Sequence, residues 1–446
     1  MVEKSLHVGL DIGTSSIKVV VSEYAKNQLN VIGVGVERSP GVNRGIIVDI
    51  DMTVEAIKRA VKKAEQRANV TIKNVVVGIP SVQIAIEPCH GMIAVSSENK
   101  EITNKDVDNV ISAAKVKSVP PEREIISILP EEFIVDGFDG IKDPRGMIGV
   151  RLELFAHLVT GPKTIVHNIR RCVEKAGLTI QELVMQPLAT AKSALSAGER
   201  SFGTVLIDMG GGQTTAAAIH DDQVKFVYID QEGGEYVTRD ISTVLNVTVE
   251  NAEAIKRDYG YVHEKDTSES GYFLTEVVGH KELMRIEDSY LSEIIEARIV
   301  QIFENVKRAL DEVDALALPG GVVLTGGGAI LPGVTELAQE IFGTNVRLYI
   351  PEQMGLRHPS FAQALGLLDY IVSLDDIHHV AQHDTKNYRA PQVKKVVEQR
   401  ENETVSTKKP ERQNTDTTQA PSSDKPSFMD RVSKTVKGFF DALGEE

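Results

Sequence analysis

Residues 204–219 read TVLIDMGGGQTTAAAI, and they decide the fold. Val205, Leu206 and Ile207 form a buried-strand pattern that ends in Asp208. Gly210, Gly211 and Gly212 follow, and Gln213, Thr214 and Thr215 lead into a second apolar run. A strand, a glycine turn and a strand leave bare backbone N–H groups around a turn that can close on a phosphate. Asp208 at the strand tip suits a magnesium ion held through water, because magnesium gives up its hydration reluctantly. An ordinary glycine-rich hairpin is the competing reading, since short glycine patterns recur widely.

The same object stands near the N-terminus. Residues 7–21, HVGLDIGTSSIKVVV, carry Asp11, Gly13, Thr14 and Ser15, then the alternating Ile17-Lys18-Val19. Each copy leads into a third apolar-rich segment, 28–35 in the first and 223–229 in the second. Asp11 and Asp208 lie 197 positions apart, so the repeat predicts a duplicated architecture. Two such hairpins facing each other across a cleft would hold a nucleotide's phosphates from both sides.

Composition narrows the class. At 446 residues the chain is too long for one simple domain, and two to four units are expected. A net charge of −15 argues against a nucleic-acid scaffold, which shows a basic footprint. Two cysteines, Cys89 and Cys172, make no disulfide framework and read as reduced thiols. Glu3 and Lys4 run straight into a strand, so no signal peptide is expected. No apolar run approaches the ~18 residues that span a bilayer. A cytosolic protein is expected unless something tethers it.

Residues 51–69 place Val54, Ile57, Ala60, Val61 and Ala64 at helical spacing, and 75–79 is a buried-strand pattern. From 87 to 161 the character changes. Thr103 with Asp106 resembles a capping box, Val107, Val110, Ile111 and Ala114 give a helix face, and strands are predicted at 125–129 and 152–159 around a turn-rich 136–149. That composition fits a small α+β insert. A helix is expected over 164–176, and another from Gln186-Pro187 rich in small residues from Ala189 to Gly198. A second small-residue run spans Ala362 to Gly366, so the two helices are expected either to cross as a hinge between lobes or simply to pack in a core. Gly233, Gly234 and Glu235 precede a helix, residues 251–259 present Glu253 and Lys256, and 283–310 reads as helical. Val322 to Leu324 runs into Thr325, Gly326, Gly327 and Gly328, and Pro332 is expected to open a helix behind this third nucleotide-facing loop.

Residues 386–426 are polar and poor in large apolar side chains, a pattern of disorder. His378, His379 and His383 have metal-compatible spacing without an evident partner, so a solvated helix end is expected there. The last twenty residues regain periodicity. At ~100° per residue, Phe428, Met429, Val432, Val436, Phe439, Phe440 and Leu443 share roughly 120° of arc. Arg431, Lys434 and Lys437 stand opposite with Asp430 and Asp441, so the segment is expected to lie in a membrane interface rather than span it. A core helix is the alternative.

The two Asp–glycine hairpins, the Thr325–Gly328 loop and the two small-residue helices together resemble the actin superfamily over roughly residues 5 to 375. Within it the chain is similar to the FtsA family of bacterial cell-division proteins. The insert motif DGFDGIKDPRGMIG at 136–149, the early position of the insert and the linker ending in an amphipathic helix carry that likeness. The resemblance implies a duplicated actin-like (ribonuclease H-like) α/β fold with an inserted α+β subdomain. It divides the chain into a first lobe (1–85 and 164–203), the insert (86–163), a second lobe (204–230 and 305–376) with a small subdomain (231–304), a disordered linker (377–426) and a membrane-targeting helix (427–446). It implies ATP with Mg2+ as ligands: Asp11 and Asp208 for the metal, the residues of both hairpins for the phosphates, and Gly234, Glu235, Glu253 and Lys256 for ribose and adenine, with Gly326 to Gly328 opposite. Gln186 would position water, and an amide is a poor base, so any ATPase would be slow.

The resemblance further implies polymerisation on the inner face of the cell membrane at the septum, recruitment of later division proteins, and capture of the C-terminal tail of the tubulin-like protein FtsZ. Glu296-Ala-Arg298-Ile299 matches the segment that contacts this tail, where an arginine clamps a carboxylate bidentately. A pilus-assembly actin-like protein would lack the terminal helix. A sugar kinase would need a carboxylate base that is not evident, and a chaperone would continue into a β-rich domain.

Overall fold

The computed structural model describes residues 5–374 except 27, 117–118, 263–270 and 281. The linker, the His378–His383 group and the amphipathic helix expected from the sequence lie outside the described residues.

The chain opens with β1 (Ser5–Ile12), β2 (Ser16–Ala25), β3 (Gln28–Arg38), the short pair β4 (Val42–Asn43) and β5 (Ile46–Ile47), then α1 (Ile50–Ala68) and β6 (Asn74–Ile79). An insert follows: β7 (Ala85–Ala94), α2 (Asn104–Ala114), β8 (Arg123–Val135), β9 (Phe138–Ile141) and β10 (Arg151–Pro162). Then come α3 (Lys163–Lys175), β11 (Thr179–Met185), α4 (Gln186–Ala194) and α5 (Ala197–Phe202). The second half holds β12 (Thr204–Met209), β13 (Thr214–His220), β14 (Gln223–Asp230), α6 (Gly234–Leu245), α7 (Val249–Tyr259), β15 (Tyr272–Thr275), β16 (Met284–Glu287), α8 (Asp288–Asp311), β17 (Val322–Thr325), α9 (Val334–Phe342), β18 (Val346–Leu348) and α10 (Ala362–Ser373).

Duplication is visible in the sheets. The order β11-β6-β1-β2-β3 in one is matched by β18-β17-β12-β13-β14 in the other. In each, three antiparallel strands are followed by parallel partners. Local sequence explains the pieces. In α1 the five predicted apolar positions are all buried, Asp49 caps the N-terminus by accepting from Met52 N–H, and left-handed Asn69 ends it. The insert is an antiparallel sheet, β7-β10-β8-β9, with α2 laid on it through Val107, Val110, Ile111 and Ala114. The expected capping box of Thr103 and Asp106 is present.

The two small-residue helices cross. A Cβ on Gly366 of α10 would lie 2.2 Å from the carbonyl oxygen of Ala189 in α4, so only glycine permits this approach. Ser193 Oγ donates to the Ala362 carbonyl at 2.8 Å across the same crossing. Leu188, Ala189, Leu206, Val323, Leu367 and Tyr370 join in one buried cluster there, distinct from the cores under the two sheets.

Several expectations need correction. The helix from Gln186 does not run through to Gly198; it stops at Ala194, and Ser196 starts α5 with its own capping box to Glu199. The helix expected from residue 283 begins at Asp288, because residues 284–287 pair with β15. Behind Gly326 a 3-10 turn, Gly327–Ile330, precedes α9, which starts at Val334 rather than Pro332. The turn-rich stretch 136–149 contains β9.

Candidate functional site

Both hairpins are built alike. Gly13 N–H donates to Ser16 O at 3.2 Å, and Gly210 N–H to Gln213 O at 2.9 Å, so each turn closes from two to five positions past its aspartate. Each aspartate is the second-to-last residue of a strand whose two neighbours fix its direction: Asp11 opposite Lys18, and Asp208 between Thr215 and Thr325. The tips meet. Ser15 Oγ donates to Glu235 Oε1 at 2.9 Å, and Thr14 stands against Gly212.

Between the lobes lies a cleft of about 1140 Å³, larger than the 300–1,000 Å³ common for small-molecule sites. Asp11, Gly13, Thr14 and Ser15 line it from the first lobe, with Gln186 at the start of α4. Asp208, Gly210, Gly211, Gly212, Gln213 and Thr215 line it from the second. Gly234, Glu235, Glu253 and Lys256 form one further wall, and Gly326, Gly327 and Gly328 another. Residues drawn from six separate segments thus converge on one space.

Thr214 does not join them. It is fully buried and its Oγ1 donates to Glu232 O at 3.0 Å, as strand alternation requires once Thr215 faces the cleft. Arg298 also lies outside the cleft.

The floor is electrostatically unbalanced. Lys18, buried on β2, reaches Asp11 Oδ2 at 3.0 Å, while Asp11 Oδ1 is buried without a partner. Burial first, and then the Asp11 charge, push the Asp208 carboxyl up to about 6 against the pull of Lys18. Two carboxylates with one ammonium and an orphaned oxygen fit a hydrated divalent cation bound with phosphate. Gly326 belongs to the same floor: its φ is +91°, and a Cβ there would lie 2.2 Å from Asp208 Oδ1.

At the far wall Lys256 Nζ donates to Gly234 O at 3.0 Å and to Thr238 Oγ1 at 2.8 Å, and pairs with Glu253 at 2.6 Å. Burial raises the Glu253 carboxyl, yet Lys256 and the hydrogen bonds around it hold it below its ordinary range. Backbone N–H groups of Gly234 and Glu235 are taken by Gly210 O and Gly211 O, so these two residues offer side-chain and carbonyl chemistry rather than free donors.

Lys18, Thr238, His358 and Gln363 line the cleft although sequence reasoning did not single them out as site residues. For Lys18 a signal existed: a lone ammonium inside an apolar strand needs a charged partner. His358 Nδ1 accepts from Ser360 N–H at 3.2 Å, and burial holds its imidazole below the ordinary value.

Arg298, on α8, is not a free clamp. It donates to both Asp240 oxygens at 2.6 and 3.0 Å, to Glu232 at 2.7 Å and to Gln301 at 2.8 Å. Among the described residues no cluster of three or more His, Cys, Asp or Glu could hold a metal by itself, and no helix is long and apolar enough to cross a membrane.

The family model described as "Cell division protein FtsA" matches residues 205–366, and that described as "SHS2 domain inserted in FTSA" matches residues 82–160. The cell division protein FtsA of Enterococcus faecalis is 56% identical over 401 residues, 90% of this chain and 91% of that one. Among solved structures, the PilM-PilN type IV pilus biogenesis complex matches with a TM-score of 0.58 at 19% identity, over 82% of this chain and 99% of that chain. MreB5 of Spiroplasma citri bound to ADP matches with a TM-score of 0.52 at 12% identity, over 83% and 99%. At such identities the two structures share the fold alone, and the pilus likeness carries no function.

Proposed function

The chain belongs to the FtsA family of cell division proteins, and from that premise we propose that it is an ATP-binding, actin-like adaptor that tethers FtsZ filaments to the inner face of the cell membrane at the septum. The observation that carries the nucleotide part is the meeting of two like Asp–glycine hairpins over one cleft, with Asp11 Oδ1 buried and unpartnered on its floor.

In this proposal Asp11 and Asp208 hold Mg2+ through water, and Lys18, Thr14, Ser15 and the glycines of the second hairpin hold the phosphates. Glu253 and Lys256 fix each other beside the ribose, and Gly326 to Gly328 admit the nucleoside closely. Gln186 positions water but is a poor proton acceptor, so hydrolysis is slow.

The FtsZ tail docks on the face of α8 around Arg298. Because that guanidinium already serves Asp240 and Glu232, an arriving carboxylate competes with two in place. The tail's apolar side chains must therefore supply much of the affinity. Copies of the chain assemble as an actin-like polymer, and residues 427–446 lie on anionic lipid. One copy of that segment binds weakly; polymerisation raises avidity without new contacts.

Co-sedimentation of the full chain with anionic vesicles, with and without MgATP and an FtsZ tail peptide, tests the proposal. Vesicle binding that brings the peptide down, and that is lost in Phe439→Glu with Phe440→Glu, is expected. Unaltered vesicle binding by that variant would refute the tether.

A further inference from the structure

We propose that Arg44 and Tyr236 form a clasp between the lobes that sets how fast nucleotide leaves the cleft. This inference rests on the nucleotide reading above and adds positioning residues that neither hairpin supplies.

The clasp starts from a stiff arm. Arg44 and Gly45 form the two-residue tip between β4 and β5, with φ of 49° and 74°, the left-handed pair that a tight hairpin turn requires. Val42 and Ile47 anchor the arm's base in the first-lobe core. Gly45 N–H donates to Thr14 Oγ1 at 2.9 Å, which holds the tip against the first phosphate hairpin.

From there Arg44 crosses to the second lobe. One guanidinium nitrogen donates to Gln231 Oε1 at 3.2 Å and the other to the Tyr236 hydroxyl, and its carbon stands 5.5 Å from the Tyr236 ring centroid. Tyr236 follows Glu235, which receives Ser15 Oγ. The cleft mouth is therefore bridged at neighbouring residues by two first-lobe side chains.

The opposite side of the cleft is the α4–α10 crossing, packed through Gly366 and the apolar cluster around it. Polar contacts at an exposed mouth open far more readily than such a packed crossing. A nucleotide lying between hairpins whose tips touch must wait for the mouth to open. Arg239 and Arg298 also stand 5.2 and 5.7 Å from the Tyr236 ring, so the ring keeps cationic neighbours from its own lobe when Arg44 leaves.

The test is release of a fluorescent ATP analogue from the full chain, chased with excess ATP in stopped flow, on wild type, Arg44→Ala, Tyr236→Phe and the double variant. Alanine keeps a Cβ at the left-handed position, so backbone strain is unchanged, and thermal midpoints check folding. Losing two exposed hydrogen bonds and one exposed cation–π contact corresponds to about tenfold or more faster release in Arg44→Ala, with association within about twofold. Tyr236→Phe, which keeps the ring, should accelerate release less, and the double variant should release no faster than Arg44→Ala. Unchanged release in Arg44→Ala, or effects that multiply in the double variant, would overturn the clasp. Should Arg44→Ala not fold, unchanged release in Tyr236→Phe alone would overturn it. No binding of the analogue by wild type would overturn the nucleotide reading and the clasp with it.

Discussion

Substituting Gly366 by alanine isolates the helix crossing that joins the lobes. The new methyl would lie 2.2 Å from Ala189 O, 2.6 Å from Ala189 C and 3.0 Å from Thr190 N, all backbone atoms. No side chain can swing aside, so α10 must move roughly 1 Å from α4 to restore ordinary contact. Two effects oppose each other. Alanine in a helix interior gains up to ~1 kcal/mol over glycine. Overpacking a tight crossing costs about 1–3 kcal/mol. The Ser193–Ala362 hydrogen bond spans the same gap and weakens with it. The cost wins, with a net loss of roughly 1–2 kcal/mol. At roughly 2–4 °C per kcal/mol for units of this size, the melting midpoint should fall by several degrees.

Gly198→Ala is the matched control. Gly198 is exposed in α5 with nothing near its would-be Cβ, so the same change should leave the midpoint level or slightly raised. Differential scanning calorimetry on the two variants reads both signs. A Gly366→Ala midpoint at or above wild type would refute the close-crossing account.

Three further outcomes are expected. Burial pushes the Asp369 carboxyl up to about 6, with Arg200 pulling the other way; a raised carboxyl stabilises the fold at low pH and loses that contribution as pH rises through about 6. Asp369→Asn should therefore flatten the fall in stability between about pH 4 and 7 and be more stable at pH 8 by roughly 1–3 kcal/mol, measured by urea unfolding; an unchanged pH profile would count against it. Burial pushes the Cys172 thiol up to about 11 and Cys89 is also buried, so iodoacetamide at pH 8 should spare the native protein and modify both cysteines after denaturation; rapid native labelling would contradict this. Arg298→Ala leaves Asp240 and Glu232 without their shared cation and should cost roughly 1–3 kcal/mol with no peptide present; wild-type stability would show that the cluster contributes little.

The hairpins were legible because their chemistry is local: a strand, an aspartate and glycines within a dozen residues, twice. Lys18 escaped because its role depends on Asp11 across a strand pair, although an ammonium amid Ile17 and Val19 announced a partner. Strand alternation turns the Thr214 side chain inward: with Thr215 level with Asp208, its neighbour faces away from the cleft. The break between α4 and α5 had its sign in Ser196 and Glu199, a capping box inside a run of small residues. Arg298 was readable as an anion clamp but not as an occupied one, since its partners Asp240 and Glu232 lie 58 and 66 positions away. The strands β15 and β16 are four residues each, too short for periodicity to separate from the long helix after them.

Isothermal titration calorimetry of MgATP against wild type and Asp208→Ala measures the central claim most directly. The two-hairpin site requires one saturable site in the wild type and lost or much weaker binding in the variant at an unchanged fold. Wild-type affinity in Asp208→Ala would contradict it.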